Sequence, residues 1–144
     1  MSARADEIVA AARVILEEEG ADALTMRRLA AQVGMQAPSL YKHVADKDAL
    51  TAGLVAQALR EMGEVLHAAV ARPGRRGAVA SLLAAYRSHA VASPNMYRVA
   101  TSGPLYRARL PPGLEAWAGE PFFLATGDPA SAQALWSFAH GMVI

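Results

Sequence analysis

Cysteine is absent from this chain of 144 residues, which excludes disulfide bonds and thiolate metal ligands. A chain without cysteine is compatible with a reducing cytoplasm. Long apolar runs are also missing, since no stretch approaches the roughly 20 consecutive apolar residues of a membrane-spanning helix. The N-terminal residues MSARADEIVAA are charged and lack the apolar core of a signal peptide. We therefore expect a cytoplasmic protein with no membrane partner.

Aromatic residues make up only 6% of the chain and β-branched residues are few, so the composition does not favour strands. Alanine, a strong helix former, is abundant, and 53% of the residues are hydrophobic, which is enough to bury a core. We find no convincing strand pattern and no internal repeat. The composition predicts an all-α protein with one domain, or with a small domain continuous with a larger one.

An excess of charge of one sign is also missing. The formal net charge is +1, and residues 1–50 carry six Lys or Arg against eight Asp or Glu. The total charge therefore does not indicate a nucleic-acid partner. Any contact with DNA has to depend on where individual charges lie.

Motifs of catalysis and metal binding are absent from the sequence. It has no glycine-rich phosphate loop, no nucleophile elbow and no His-x-x-Glu motif, and acidic residues are nearly absent from residues 65–144. The four histidines are scattered, at His43, His67, His89 and His140. Without cysteine they do not form a credible metal site. We expect a protein that is not an enzyme and has no cofactor.

The most informative stretch runs from Thr25 to Lys47, with two short helical patterns on either side of Gly34. The first pattern places its apolar residues on one helical stripe, at Met26, Leu29, Ala30 and Val33. Gly34 can adopt the positive φ that a tight turn between helices needs. In the second pattern Leu40 and Val44 lie one turn apart and can face the first helix, which leaves a polar and aromatic face outside. This pattern predicts a helix-turn-helix whose second helix enters a DNA major groove.

The start of the first of these two helices also favours a phosphate. Thr25 is a good N-cap, but Arg28 occupies the position where a capping box would have Glu or Gln. Arg27 and Arg28 thus place two cations near a helix N-terminus, where they are unfavourable in isolation. A DNA phosphate at that end would bind both the amides and the arginines.

The remaining helices are predicted from apolar spacing and from caps. The first spans residues 4–19 and ends in Glu17-Glu18-Glu19 before Gly20; we interpret the three acidic residues as a solvated face. Asp46 caps a fourth helix that reaches about residue 71, a rod of about 37 Å. A fifth helix spans roughly residues 76–92, and a sixth runs from Pro94 to about residue 100. Residues 103–127, rich in Gly and Pro, allow only short or kinked helices, and a final helix begins after Asp128-Pro129.

The stretch LTMRRLAAQVGMQAPSLYKHVADKDAL, together with the preceding helix that ends at Gly20, resembles the DNA-binding domain of TetR-family transcriptional regulators. Residues Trp136 to Gly141 resemble the Trp-x-x-x-His-Gly signature of one class of TetR-like C-terminal domains. The resemblance implies an all-α homodimer. Residues 1–46 would form a three-helix DNA-binding domain, with its helix-turn-helix at about 25–44. A long fourth helix would join it to a helical ligand-binding and dimerisation domain, residues 47–144. Family members continue for two more helical stretches that pack across the dimer, so we expect this chain to be incomplete at its C-terminus; the alternative is an unusual dimer.

The resemblance also implies which residues contact DNA. They are Thr25, Arg27, Gln36, Ala37, Pro38, Ser39, Tyr41, Lys42, His43 and Lys47. Ser39 can exchange a hydrogen bond with a base edge, Ala37 and Pro38 can contact a thymine methyl, and Tyr41 can reach a phosphate. For His43, a hydrogen bond at the helix end is an alternative to a phosphate contact.

Seven residues of the C-terminal part could line a pocket for a small, largely apolar effector. They are Tyr86, His89, Tyr97, Trp117, Phe122, Trp136 and His140. Their spacing serves a hydrophobic core equally well. His140 lies one turn after Trp136 and fits a buried, hydrogen-bonded histidine better than a ligand-binding group.

We therefore predict a ligand-responsive transcriptional repressor that binds a palindromic double-stranded DNA operator as a homodimer. The alternative is a helical protein-interaction module that does not bind DNA. Salt dependence separates the two, because DNA binding weakens steeply as salt rises and counterions are no longer released favourably.

Overall fold

The structure, a computed structural model, describes residues 2–144, and all of its regular secondary structure is helical, as predicted. Over that range we number the α-helices in chain order, and no residue lies in a strand. Their bounds are α1 Ala3–Glu19, α2 Met26–Val33, α3 Ala37–Tyr41, α4 Lys47–Ala71, α5 Ala78–Ala92, α6 Pro94–Ser102, α7 Leu114–Thr126 and α8 Pro129–Val143. Short 3-10 turns lie at Ala21–Ala23 and Arg107–Arg109.

The helices form two compact units. Of the described residues, unit 1 contains 2–57 and 94–110, and unit 2 contains 58–93 and 111–144. The helix α4 begins in unit 1 and continues into unit 2 without a break. The predicted division into a DNA-binding and an effector domain concerns function, and it stays a prediction.

In unit 1, α2 packs on both α1 and α3, and α6 packs on α1. The core contains the apolar residues that the helical spacing selected, including Ile8, Ile15, Leu16, Leu29 and Leu40, all at most 1% exposed. Complete burial of such a side chain contributes about 1.5–3 kcal/mol. The small helix-turn-helix is therefore held in place by a continuous apolar core.

The acidic end of α1 is exposed at Glu18 and Glu19, as a solvated face would be, but that interpretation is wrong for Glu17, which is partly buried. Glu17 accepts a hydrogen bond of 3.0 Å from the Met96 amide in the first turn of α6, where the helix dipole favours a negative charge. In return, the Asn95 side chain donates at 2.9 Å to the Leu16 carbonyl in the last turn of α1. Glu19 binds Arg28. Each end thus satisfies backbone groups of the other.

In unit 2, α5, α7 and α8 pack on one another. Tyr86 of α5 meets Phe122 of α7 edge to face, with ring centroids 5.9 Å apart, and both are buried. Edge-to-face contact is a preferred geometry of aromatic rings. The two residues therefore contribute to the core of this unit.

An internal proline in α7 explains a contact with the second half of α4. Pro121 has no amide hydrogen, so it cannot bond the Trp117 carbonyl one turn before it. His67 of α4 supplies the missing donor, since its Nε2 lies 2.8 Å from that carbonyl oxygen. The imidazole also stacks on the Trp117 indole, with centroids 4.8 Å apart. Because a carbonyl only accepts, Nε2 carries the hydrogen.

Two helix bounds differ by two residues from the approximate positions that the sequence indicated. The fifth helix begins at Ala78 rather than at residue 76, because Gly77 has a φ of 94° and closes a turn onto the Gly74 carbonyl. The sixth continues to Ser102 rather than ending near residue 100. Between residues 103 and 127 the chain forms one 3-10 turn and then α7, which runs 13 residues around Pro121.

Candidate nucleic-acid interface

Thr25 starts α2, as its type and position predicted. Its Oγ1 accepts a hydrogen bond of 3.0 Å from the Arg28 amide, and its carbonyl accepts the first helical bond, from Leu29. This cap satisfies one of the amides that a helix N-terminus leaves without a partner. Arg27, two residues after the cap, is exposed.

The sequence had suggested that Arg27 and Arg28 bind one phosphate together. In the structure, Arg28 has other partners. Its guanidinium binds both carboxylate oxygens of Glu19, at 3.2 Å from Nε and 2.7 Å from Nη2. It also donates at 3.0 Å to the Gln32 side chain. Such a two-point contact between arginine and carboxylate is geometrically specific. Arg28 therefore ties α2 to the end of α1, and Arg27 is the cation left at the start of α2.

The turn between α2 and α3 depends on Gly34, which has a φ of 70°. The Gly34 amide donates to the Ala31 carbonyl at 3.3 Å, and the Met35 amide donates to the Ala30 carbonyl at 3.0 Å. These two bonds form a Schellman motif, the common way to end a helix with a left-handed residue. The predicted role of Gly34 is confirmed.

The helix α3 is short and presents most of its residues outward. Leu40 and Val44 are buried, at 0% and 5% exposure, and they attach this segment to the core. The predicted contact residues around them are all exposed: Gln36, Ala37, Pro38, Ser39, Tyr41, Lys42 and His43. Pro38 lies in the first turn, where its missing amide hydrogen costs nothing. The geometry leaves a polar surface with one large aromatic side chain, Tyr41, which is 47% exposed.

The start of α4 lies next to this surface in the sequence and carries Lys47, which is exposed. Asp46 caps the helix, because its Oδ1 accepts a hydrogen bond of 2.7 Å from the Ala49 amide. Across the described residues, the side chains of Arg27, Lys42 and Lys47 have no hydrogen-bond or ion-pair partner. Three unpaired cations are therefore available to an anionic ligand.

Two residues that the sequence did not single out reach the start of α4. Arg109 Nη1 lies 2.9 Å from Asp46 Oδ1, and the Tyr106 hydroxyl donates to Asp48 Oδ1 at 2.9 Å. The hydrogen bond from Arg109 lowers the pKa of Asp46, and the hydrogen bond to Asp48 raises the pKa of Tyr106. No local signal indicates these contacts, since the partners are 63 and 58 residues apart in the chain.

The residues predicted for an effector pocket do not all lie in one unit. Tyr97 belongs to unit 1 and is buried, whereas the other six belong to unit 2. Within unit 2, Tyr86 pairs with Phe122, and Trp136 stacks on His140 with centroids 5.4 Å apart. Trp117 stacks on His67, a residue outside the predicted set. Five of the seven residues thus lie in three separate ring contacts, and the role of the set toward an effector stays a prediction.

Between residues 2 and 144, no group of three or more His, Asp or Glu residues is placed to hold a metal ion. In the same range, no helix combines the length and the apolar character that crossing a membrane requires.

Comparison with known proteins finds a family match in the N-terminal segment that contains the helix-turn-helix. Residues 8–54 match the family model of bacterial regulatory proteins, tetR family. An uncharacterized HTH-type transcriptional regulator of Mycobacterium tuberculosis is 35% identical over 100 residues, which cover 69% of this chain and 46% of that protein. The class D tetracycline repressor protein of Escherichia coli is 41% identical over 54 residues, 38% of this chain and 25% of the repressor.

The fold is similar beyond the matched segment. A crystal structure from Streptomyces coelicolor, reported as a possible TetR family transcriptional regulator, superposes with a TM-score of 0.70 at 26% identity and covers 96% of this chain and 67% of that one. The present chain spans half or less of the length of the curated relatives it matches. From the matched helix-turn-helix and the shared helical architecture, we conclude that the chain belongs to the tetR family of bacterial regulatory proteins.

Proposed function

We propose that this protein is a ligand-responsive transcriptional repressor that binds a palindromic operator in double-stranded DNA as a homodimer. The observation that carries the proposal is the exposure of all ten predicted contact residues, from Thr25 to Lys47, around a buried anchor of Leu40 and Val44. A surface that is polar, exposed and rigidly supported suits insertion into a major groove.

The contact residues divide by chemistry. Arg27, Lys42 and Lys47 are unpaired cations and suit phosphates, which set affinity and register. Ser39 and Gln36 offer hydrogen bonds to base edges, and Pro38 offers an apolar contact to a thymine methyl. The recognition helix α3 and the residues on either side of it, 36–43, contain no arginine or asparagine, so specificity depends on weaker base contacts and on DNA shape.

A palindrome requires two copies of this surface. Unit 2 exposes large apolar side chains on α7 and α8: Phe123 at 45%, Leu124 at 53%, Trp136 at 39% and Phe138 at 61%. Exposed apolar residues concentrated on two helices that pack together are typical of an interface between proteins. We propose that some of these exposed residues on α7 and α8 contact a second copy of the chain. Recognition helices in successive major grooves would then lie about 34–36 Å apart.

Effector control is proposed to act through α4, which runs 25 residues from the DNA-binding surface into unit 2. An effector that binds unit 2 more tightly in a conformation unsuited to DNA would shift the population toward release. The match to the tetracycline repressor covers only 54 residues, so it supports no particular effector.

Selection of bound duplexes from a random pool, followed by footprinting, tests the proposal directly. We expect enrichment of a palindrome and binding that weakens steeply as salt rises, because counterions are released when phosphates are contacted. Failure to enrich any palindrome, combined with salt-insensitive binding to a protein partner, would favour the protein-interaction module instead. Operator affinity that does not change with a confirmed effector would contradict the regulatory mechanism.

A further inference from the structure

Among the predicted phosphate contacts, Lys47 is the one with a carboxylate on each side in the sequence, at Asp46 and Asp48. Together the three side chains carry one negative charge. A negative group at the edge of the interface repels DNA phosphates, and the repulsion is strong at separations below the Debye length of about 10 Å. Lys47 alone therefore does not make the start of α4 attractive to DNA.

One short segment of unit 1 engages both carboxylates. Arg109 forms an ion pair of 2.9 Å with Asp46, and the Tyr106 hydroxyl donates to Asp48 at 2.9 Å. With Arg109 included, the charges at the start of α4 sum to zero, and Lys47 keeps no partner of its own. The carboxylate of Asp46 is then directed toward a cation and the Ala49 amide.

The conformation of this segment serves these contacts. Tyr106 is the sole non-glycine residue with positive φ among residues 2–144, at 51°. A left-handed conformation is unfavourable for a residue with a side chain and persists where surrounding contacts compensate for it. Here the Arg109 amide donates to the Tyr106 carbonyl at 2.8 Å, which closes a 3-10 turn and directs both side chains to α4.

The contacts have little importance for folding, since Arg109 and Asp46 are about half exposed, at 45% and 51%. Exposed ion pairs contribute little to stability. The contact with Arg109 matters more for the electrostatic potential at the start of α4. Without Arg109, the charge of Asp46 next to Lys47 would have no cation paired with it.

We propose that Arg109, assisted by Tyr106, is a positioning residue for DNA binding: it neutralises the carboxylate next to Lys47 so that this lysine can bind a phosphate. The inference rests on the proposed DNA-binding function. The hydrogen bond from Arg109 lowers the pKa of Asp46, so the carboxylate whose charge the guanidinium offsets is ionised at neutral pH.

The test uses the full chain and a fluorescent mixed-sequence DNA duplex of about 40 base pairs, with affinity measured between about 50 and 300 mM salt. Arg109→Gln should bind about fivefold to tenfold more weakly at the low salt concentration, and the difference should shrink as salt screens the charges. Asp46→Asn keeps a good helix cap while it removes the carboxylate. In the double variant Asp46→Asn with Arg109→Gln, affinity should return to about the wild-type value.

The matched control is Arg98→Gln, which removes one positive charge from a residue that bonds Asn95 rather than a carboxylate. It should change affinity less than twofold. Arg109→Lys should bind nearly as the wild type does, and Tyr106→Phe, which removes only the hydroxyl, should weaken binding by about twofold. Thermal unfolding of each variant checks that the fold is unchanged.

Three results would overturn the inference. Unchanged affinity in Arg109→Gln removes the role altogether. An equal loss with and without Asp46→Asn means that Arg109 contacts phosphate itself, and an equal loss in Arg98→Gln means that only total charge matters. If the wild-type chain shows no salt-dependent binding to the duplex, it is the proposed DNA-binding function that fails.

Discussion

At the scale of one residue, Tyr41 is a side chain that we propose contacts DNA and that contributes little to the core. It is 47% exposed, and it follows the buried Leu40 that anchors α3. We predict that Tyr41→Ala weakens binding to the selected operator about tenfold, since a hydrogen bond to a charged phosphate contributes about 1.5 kcal/mol. Fluorescence anisotropy measures the affinity.

The control for Tyr41 is Val14→Ala, a truncation at a similarly exposed position, 45%, on α1. Both variants should unfold within about 0.5 kcal/mol of the wild type, as surface substitutions usually do. Wild-type affinity in Tyr41→Ala would remove this residue from the interface.

Gly34 contributes through its backbone conformation alone. A Cβ atom there would meet nothing within 4 Å, but its φ of 70° is unfavourable for any residue with a side chain. We predict that Gly34→Ala lowers the free energy of unfolding by about 1 kcal/mol. Gly103→Ala is the matched control, since Gly103 also has open space around it and lacks a positive φ. Chemical denaturation measures the free energy of unfolding of both variants. An equal loss in both would contradict the role of positive φ at Gly34.

At the scale of the element, α4 and α7 approach closely enough to require glycine at one position. A Cβ atom at Gly63 would overlap the indole ring of Trp117, so one of the two side chains would have to move. We predict that Gly63→Ala destabilises the protein by about 1–3 kcal/mol, despite the higher helix propensity of alanine. Gly119→Ala, in the interior of α7 with nothing within 4 Å, should instead stabilise it. If the two substitutions shifted the denaturation midpoint in the same direction relative to the wild type, this explanation would be ruled out.

The same pair of helices allows a test of the bond between His67 and Trp117. His67→Leu should cost about 1–3 kcal/mol, because the Trp117 carbonyl loses its donor. Pro121→Ala restores an amide one turn after that carbonyl, so in this background His67→Leu should cost less. A double-mutant cycle in urea measures the coupling. Strictly additive effects would show that His67 does not compensate for the proline.

At the scale of the whole molecule, the proposed dimer depends on the apolar residues that unit 2 exposes. Phe138 on α8 is 61% exposed. We predict that Phe138→Glu weakens self-association about tenfold or more, since it removes an apolar side chain worth about 1.5–3 kcal/mol of burial and adds a charge. Sedimentation equilibrium measures the association constant.

The control for Phe138 is Val91→Glu, which introduces the same charge at an exposed position of α5. Val91→Glu should leave association unchanged, and Phe138→Glu should also lose binding to the full palindrome while it retains weak binding to a half-site. An equal effect of the two variants would show that the surface on α7 and α8 is not the interface.

Local chemistry explains why so much of the helix-turn-helix was predictable. The cap at Thr25, the turn at Gly34 and the burial of Leu40 and Val44 depend on residue type and on neighbours within one or two turns. The bounds of α4 were predictable for the same reason, as Asp46 caps its start. The start of α5 was not, because the positive φ of Gly77 competes with helical spacing.

By itself, the sequence determined the all-α class, the caps and turns of the interface and which of its residues are exposed, because each depends on interactions between near neighbours. Only the tertiary structure decided that Arg28 binds Glu19, that Glu17 caps α6, that His67 compensates for Pro121 and that Arg109 neutralises Asp46. Each of these links two different elements, and the last three join residues 50 to 79 positions apart. Pairs of that kind are selected by how the helices pack, and no periodicity along the chain encodes them.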